Sequence, residues 1–360
     1  MKILEICPFS AGVCGVWSRV KQESLEFSKL RYKIAIFSSN LEKATNRIVE
    51  PEEKIEDIEI FRFFTKKYPF SQNVTHFSFK KQLEIFNPDI VITHLLHPHS
   101  FQALKVCKKL NIPIFLVAHA PFNVKRSYLL DLATKFWNWR NRFRINKFDK
   151  IINITNWELP YLKNLGVNEE KIVYIPNGVP EEFFTQKKSK EENKVLFLGR
   201  ISLIKNLETL ISAAKNLPKI KFSIVGFAEK KYIEKIQTNL PKNIEIKKPI
   251  YNLKDKIKLI DEHKIFVLPS IREAMPQVLI EAMARGKIVI SSNTDGGKEI
   301  IQNGKNGFLF EIGNAEQLTE LIKKNIKINK TGKNAMNNSK KYSWKKLIKK
   351  YKELFEKCYQ

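Results

Sequence analysis

The feature that most restricts how this chain can fold is a pair of short apolar runs, Lys264-Ile-Phe-Val-Leu268 and Lys287-Ile-Val-Ile-Ser291, set apart by one helix-length stretch. Short runs of branched apolar residues read as strands buried on both faces, the kind that parallel sheets hold. Parallel neighbours need a crossover between them. Ser270-Ile-Arg-Glu-Ala-Met-Pro-Gln-Val-Leu-Ile-Glu-Ala-Met-Ala-Arg-Gly286 supplies it. Pro276 suits the first helical turn, where a missing N–H costs nothing, and Gly286 suits the residue past the helix end. Glu273 then lies in the loop leaving the first strand and Glu281 inside the helix, about 12 Å further along at ~1.5 Å per residue.

The same alternation recurs along the chain. In the first half 2–7, 33–38, 58–61, 88–94, 114–118, 149–154 and 170–175 read as strands, and 16–30 as an amphipathic helix. In the second half 194–200, 222–226 and 244–246 join the two runs above, with helices over 207–215 and 315–326. Residues 65–78 show no clear period, and 329–340 read as a polar loop. A last amphipathic helix over 342–355 places Trp344, Leu347, Tyr351 and Leu354 on one face. The turn signal Ile175-Pro-Asn-Gly-Val179 and a charged linker over 186–193 divide the two series. At 360 residues and 43% hydrophobic content, the chain has the length for two cores. The expectation is α/β throughout: two doubly wound domains, 1–178 and 179–340, closed by a helix over 341–360.

In open parallel sheets ligands bind outside the carboxyl ends of the strands, where helix N-termini offer free N–H groups to anions. Gly199 and Arg200 end one strand, and Lys205 precedes the next helix. Two cations, a helix start and a glycine that permits close approach suit a diphosphate. A carboxylate only accepts hydrogen bonds, through two oxygens, which suits neighbouring hydroxyls such as those of sugars and ribose.

Glu273 and Glu281, followed by Asp295-Gly-Gly-Lys-Glu-Ile-Ile301 and Asn303-Gly-Lys-Asn-Gly-Phe308, resemble the donor site of family 4 retaining glycosyltransferases, which have the GT-B fold. The loop 8–15, the segment Val117-Ala-His-Ala-Pro121, the hinge-side turn 175–179 and the Gly199-Arg200 turn match in order, so the resemblance covers nearly the whole chain. It implies two Rossmann-like domains facing an interdomain cleft, the first binding acceptor, the second donor, with the last helix packing back on the first. It implies that His119 contacts the donor sugar, that Arg200 and Lys205 hold the departing diphosphate, and that Glu273 orients sugar hydroxyls. Gly15, Gly199, Gly226, Met275, Glu281, Gly296, Gly297 and Glu299 are the donor-binding positions it implies. The chain departs from the pattern at Cys14, where a glycine is usual, at Pro180 for an Asp, and at Ala228 for a second glycine. Ala274-Met-Pro276 replaces a Gly-containing version, and Pro276 has no N–H to give a sugar. Base and sugar are therefore not legible.

His94, His97, His99 and His119 fall near two adjacent strand ends without an acidic or cysteine partner at a ligand spacing, and read as loop histidines rather than a metal site. No cofactor or metal is expected, since no D-x-D occurs in the chain and Arg200 with Lys205 supplies positive charge. Four scattered cysteines without a C-x-x-C pair suit a reducing cytosol, and no signal peptide or transmembrane run is read. A net charge of +27 attracts anionic partners of any kind. No nucleic-acid motif accompanies it, so nucleic acid is not an expected partner. The expected partners are a nucleotide-sugar donor, a glycan or lipid-linked acceptor, and an anionic membrane surface. For the last, Trp137 and Trp139 beside Arg140, Arg142 and Arg144 look interfacial, while Leu129, Leu132, Phe136 and Phe143 recur at helical spacing and are expected to face the core. The competing readings are a nucleotide-sugar epimerase on the same fold, a basic nucleic-acid-binding protein, and a catalytically silent sugar-binding relative.

Overall fold

A computed structural model describes the chain except residues 13, 44, 69–70, 120–135, 137–138, 186–188, 328–329 and 359–360. It divides into two compact units, Met1–Gly178 with Trp344–Gln360, and Val179–Ser343.

The first unit is built on a sheet of eight strands: β1 (Lys2–Phe9), β2 (Lys33–Ser39), β3 (Glu52–Ile55), β4 (Ile58–Phe63), β7 (Ile90–His94), β8 (Ile114–Val117), β9 (Lys150–Asn153) and β10 (Ile172–Tyr174). Their order is β10-β9-β8-β7-β1-β2-β4-β3, parallel except for β3 against β4. β1 is buried from Ile3 to Phe9, as a central strand covered on both faces must be. The chain steps outward from β1 through β2 in one direction and from β7 through β10 in the other, so the order reverses between β1 and β7. The stretch over 65–78, which showed no period, forms the two-stranded antiparallel pair β5 (Thr65–Tyr68) and β6 (Ser71–Phe77). Its Lys and Ser residues hide the alternation that marks a hairpin.

The helix Trp344–Glu356 belongs to this unit and packs against the helix Gly15–Lys29. Its buried face is Trp344, Leu347, Ile348, Tyr351, Leu354 and Phe355. Phe27 meets Tyr351 edge-on at 5.3 Å and lies 5.7 Å from Phe355. Each such side chain contributes roughly 1.5–3 kcal/mol on burial. Polar bonds fix the register: Trp344 Nε1 donates to Gln22 Oε1 at 2.9 Å, and the buried Arg19 donates to Tyr351 Oη at 3.0 Å.

The second unit holds six parallel strands, β11 (Glu192–Leu198), β12 (Lys221–Val225), β13 (Ile244–Lys247), β14 (His263–Leu268), β15 (Ile288–Ser292) and β16 (Phe308–Phe310), in the order β13-β12-β11-β14-β15-β16. Here the reversal falls between β11 and β14. The crossover from β14 to β15 is the helix Gln277–Ala284, with Pro276 at its N-cap, one residue earlier than expected, and Gly286 past its end at φ +65°. The polar stretch read as a loop is helical over Gly332–Ser339, a helix that packs on Gln277–Ala284 and buries Ala335. Its asparagines lower intrinsic helix preference, and tertiary packing overrides them. Arg285 is buried in a two-pronged pair with Asp261 (2.8 and 2.6 Å) and donates to the carbonyls of Phe183 and Thr185. No helix among the described residues is long and apolar enough to cross a membrane.

Candidate active site

In the second unit the expected donor-site residues follow the carboxyl ends of four neighbouring strands. Gly199 and Arg200 follow β11, with Lys205 closing a 3₁₀ turn over Leu203–Lys205. Gly226 follows β12, Glu273 and Met275 follow β14, and Gly296, Gly297 and Glu299 lie in the helix Asp295–Ile300 after β15. Ile271 N donates to Ile204 O at 2.9 Å, tying the β11 and β14 loops together where the strand order reverses.

Lys205 and Glu273, placed together only by their expected roles, are in contact. Lys205 Nζ lies 2.5 Å from Glu273 Oε1, which also accepts from Ser270 Oγ at 2.5 Å. The two side chains are 17% and 11% exposed, shielded but open to a ligand. Arg200 is looser, 3.8 Å from Glu229, so its charge is little compensated.

Glu281 sits deeper, with its side chain 2% exposed. Lys256 Nζ approaches both carboxylate oxygens, at 2.6 Å and 2.5 Å, and lies 5.7 Å from the centre of the Phe183 ring. Lys256 belongs to no motif in the sequence. It stands on the helix Leu253–Glu262 among other charges, and nothing in the spacing singles it out.

The glycines serve different ends. A Cβ on Gly226 would lie 1.7 Å from Gly199 O, so β11 and β12 can end side by side only with glycine there. A Cβ on Gly296 would lie 2.5 Å from Ala274 O, and Gly296 N donates to Glu273 O at 3.1 Å, which holds the Glu273 loop from behind. Gly297 N caps onto Thr294 Oγ1. Gly15 opens the helix Gly15–Lys29, and a Cβ there would meet nothing within 4 Å, so packing does not demand glycine. Met275 is buried. Glu299 lies close enough to Tyr342 that, after burial, its charge helps push the tyrosine hydroxyl upward. A concavity of about 440 Å³ lined by Asn216, Leu217, Glu316, Thr319, Glu320 and Lys323 includes none of these residues.

In the first unit two of the four histidines, His94 and His99, are not the loop residues the sequence suggested, while His97 and His119 lie outside helices and strands. His94 ends β7 and is fully buried, and His99 is buried in the helix Pro98–Leu110. His94 Nε2 lies 2.7 Å from Glu5 Oε2, and His94 Nδ1 lies 3.0 Å from His119 Nε2. His99 Nε2 donates to His94 O at 2.8 Å. Glu5 reaches His94 from β1, placed by the register Glu5↔Ile92; among the described residues no group of three or more His, Cys, Asp or Glu could hold a metal ion. Burial pushes the Glu5 carboxyl well up, opposed by the nearby Arg19 charge, and pulls His94 down to about 3. Burial first, then the charges of His94, Arg19 and His97, hold His119 well below the usual imidazole range.

Of the basic aromatic segment, residues 136 and 139–145 are described as helical, while Leu129, Leu132 and Trp137 lie outside the described residues. Phe136 and Phe143 do not face the core: they are 61% and 77% exposed, beside Trp139 at 64%. Phe136 and Trp139 rings touch, with centroids 5.9 Å apart. Arg140 and Arg142 are exposed, but Arg144 turns inward over the Phe101 ring, 4.4 Å from its centre. The helical spacing of Phe136 and Phe143 therefore does not mark a core-facing stripe.

Residues 13–183 match Glycosyltransferase Family 4, and residues 179–342 match Glycosyl transferases group 1. An uncharacterized glycosyltransferase of Methanocaldococcus jannaschii is 25% identical, over 91% of this chain and 90% of its own. The Escherichia coli protein named UDP-Gal:alpha-D-GlcNAc-diphosphoundecaprenol alpha-1,3-galactosyltransferase is 30% identical over 45% of this chain and 46% of its own. Among solved structures, sucrose-phosphate synthase from Thermosynechococcus elongatus superposes with a TM-score of 0.79 at 16% identity, covering 100% of this chain and 99% of that one.

Proposed function

Because the chain belongs to the family 4, group 1 glycosyltransferases of GT-B fold, and is therefore a transferase, we propose that it moves a sugar from a nucleoside diphosphate donor to a glycan or lipid-linked acceptor with retained anomeric configuration. The observation that carries this reading is the Lys205–Glu273 pair at the point where the strand order of the second unit reverses. There a cation for a departing diphosphate and an acceptor for sugar hydroxyls stand in contact. The Escherichia coli relative, whose name carries both a UDP-sugar and a diphosphoundecaprenol acceptor, supports the donor and acceptor classes.

In this reading Arg200 and Lys205 offset the charge that develops on the diphosphate as the glycosyl bond breaks. Glu273, held by Lys205 and Ser270, accepts from sugar hydroxyls and so fixes the ring. Glu281, aligned by Lys256, accepts from ribose hydroxyls. His119, in the first unit, contacts a substrate oxygen. No metal takes part, the two cations standing where a divalent ion would otherwise act. The exposed Phe136, Trp139 and Phe143 with Arg140 and Arg142 rest on an anionic membrane surface at its cytoplasmic face, which suits a lipid-linked acceptor.

A panel of nucleotide sugars tested for thermal stabilisation identifies the donor, since a ligand that binds only the folded state raises apparent stability. The stabilising donor is then incubated with lipid-linked acceptors. Release of nucleoside diphosphate together with a lengthened acceptor is the expected result. Conversion of the donor to its epimer, or binding without turnover, overturns the proposal.

A further inference from the structure

Glu5, His94 and His119 form a chain of hydrogen bonds whose direction decides what His119 can do. His119 uses Nε2 toward His94, which leaves Nδ1 without a hydrogen-bond partner among the described residues. If Glu5 were ionised, His94 Nε2–H would donate to it, His94 Nδ1 would accept from His119 Nε2–H, and His119 Nδ1 would carry only a lone pair. If Glu5 is neutral, its hydroxyl donates to His94 Nε2, His94 Nδ1–H donates to His119 Nε2, and His119 Nδ1–H is a donor. One proton on a residue two side chains away thus switches His119 between acceptor and donor.

Three observations choose the second arrangement. Glu5 and His94 are both completely buried, where a carboxylate facing a neutral imidazole is costly. Glu5 Oε1 has no hydrogen-bond partner among the described residues, and a bare oxygen of that kind is far cheaper on a neutral carboxyl than on a carboxylate. The buried cation nearby, Arg19, is already paired with Glu23 at 2.9 Å and with the oxygens of Ile175, Asn177 and Tyr351, so a second buried carboxylate has no counter-charge left. His99 completes the frame by donating to His94 O, and His119 itself is held at φ +49°, a left-handed backbone that a non-glycine residue keeps only where its surroundings impose it.

We propose that Glu5 and His94 are positioning residues that fix His119 in the tautomer with its proton on Nδ1, so that the ring presents a hydrogen-bond donor to a substrate oxygen. The role of the donated bond rests on the glycosyltransferase reading above; the tautomer does not.

The test has two arms. The full-length protein labelled with ¹⁵N-histidine, without any substrate, is recorded by imidazole ¹⁵N NMR at pH 7, with assignments from His119→Gln and His94→Gln. Both rings are expected as neutral Nδ1–H tautomers, and a proton on Nε2 of His119, or a charged His94, overturns the relay whatever the enzyme transfers. In the second arm Glu5→Met, which removes the donor at similar volume, is compared with Glu5→Gln, which restores an N–H. The Met variant is expected to lose the His119 Nδ1–H preference and at least tenfold in kcat, with KM for the donor within about threefold, and Gln to recover most of the loss. A Met variant that keeps native circular dichroism and full kcat removes the catalytic part of the proposal, while the NMR arm on the unsubstituted protein still decides the tautomer.

Discussion

At the scale of single residues, the two carboxylates that the sequence pairs by spacing have different neighbours, and so should fail differently when neutralised. Glu273 is bonded to Lys205 and Ser270, and in the function proposed above it meets the sugar as positive charge develops at the anomeric carbon. Glu273→Gln should therefore lower kcat by tenfold or more and leave nucleoside diphosphate affinity within a factor of about two. Glu281 is buried against Lys256 and would hold ribose, which does not change during reaction, so Glu281→Gln should chiefly raise KM and weaken the free nucleoside diphosphate. Steady-state kinetics with calorimetric titration of the diphosphate separate the two; equal loss of diphosphate affinity in both, with kcat intact, would show the roles to be wrong. Arg200 and Lys205 carry a second prediction. With their charge on the diphosphate, turnover should persist in EDTA, and complete loss restored by manganese or magnesium would refute it. What the sequence hides at this scale is equally specific. Glu5 lies in an apolar strand, and Lys256 in a charged helix, so neither position contrasts with its surroundings in the way that a motif does.

At the scale of elements, the strands were legible where both faces are buried, because burial on two sides forces an unbroken apolar run. β1, β7, β8, β14 and β15 show it. The hairpin β5–β6 and the helix Gly332–Ser339 were not, since one is polar along its length and the other is held by packing rather than by preference. The helix over 139–145 shows a different limit. Phe136 and Phe143 recur at helical spacing, yet they point to solvent beside Trp139, and only the fold reveals that. Exposed aromatic rings together with Arg140 and Arg142 should bind anionic bilayers, each basic residue near such a surface contributing about 1 kcal/mol. Sedimentation with vesicles of anionic lipid should exceed that with neutral lipid at low salt and fall as salt rises. Trp139→Ser with Phe143→Ser should reduce it several-fold; equal sedimentation with both lipids would discard the membrane face.

At the scale of the whole molecule, the chain carries a formal charge of +27 and yet keeps several ionisable groups away from water, so two different effects set its response to acid. Surface repulsion grows as carboxylates are protonated, and salt screens it. Buried histidines act otherwise. Burial pulls His99 down to about 4 from an ordinary value near 6.5, and the Nε2–H it donates to His94 O keeps it in place. Its folded value lies below its unfolded one, so the unfolded chain takes up a proton that the folded chain refuses. The stability that goes with the neutral ring is whole above about pH 6.5 and is lost as the pH falls toward 4. Between pH 7 and pH 5 one such group amounts to about 2 kcal/mol. Glu5 and Glu23 work in the opposite direction, because burial raises them and their contribution is lost as the pH rises above the carboxylate range. A comparison that changes only His99 cancels both them and the surface charge. His99→Gln keeps an amide donor for His94 O but cannot titrate, so its stability relative to the unsubstituted protein should improve by about 2 kcal/mol between pH 7 and pH 5. Urea unfolding of both proteins at the two pH values, each in low salt and in about 0.5 M sodium chloride, measures it. An improvement that survives salt identifies the buried ring as its source. A gap between the two proteins that is the same at both pH values would mean that His99 takes up its proton in the folded state as readily as in the unfolded one.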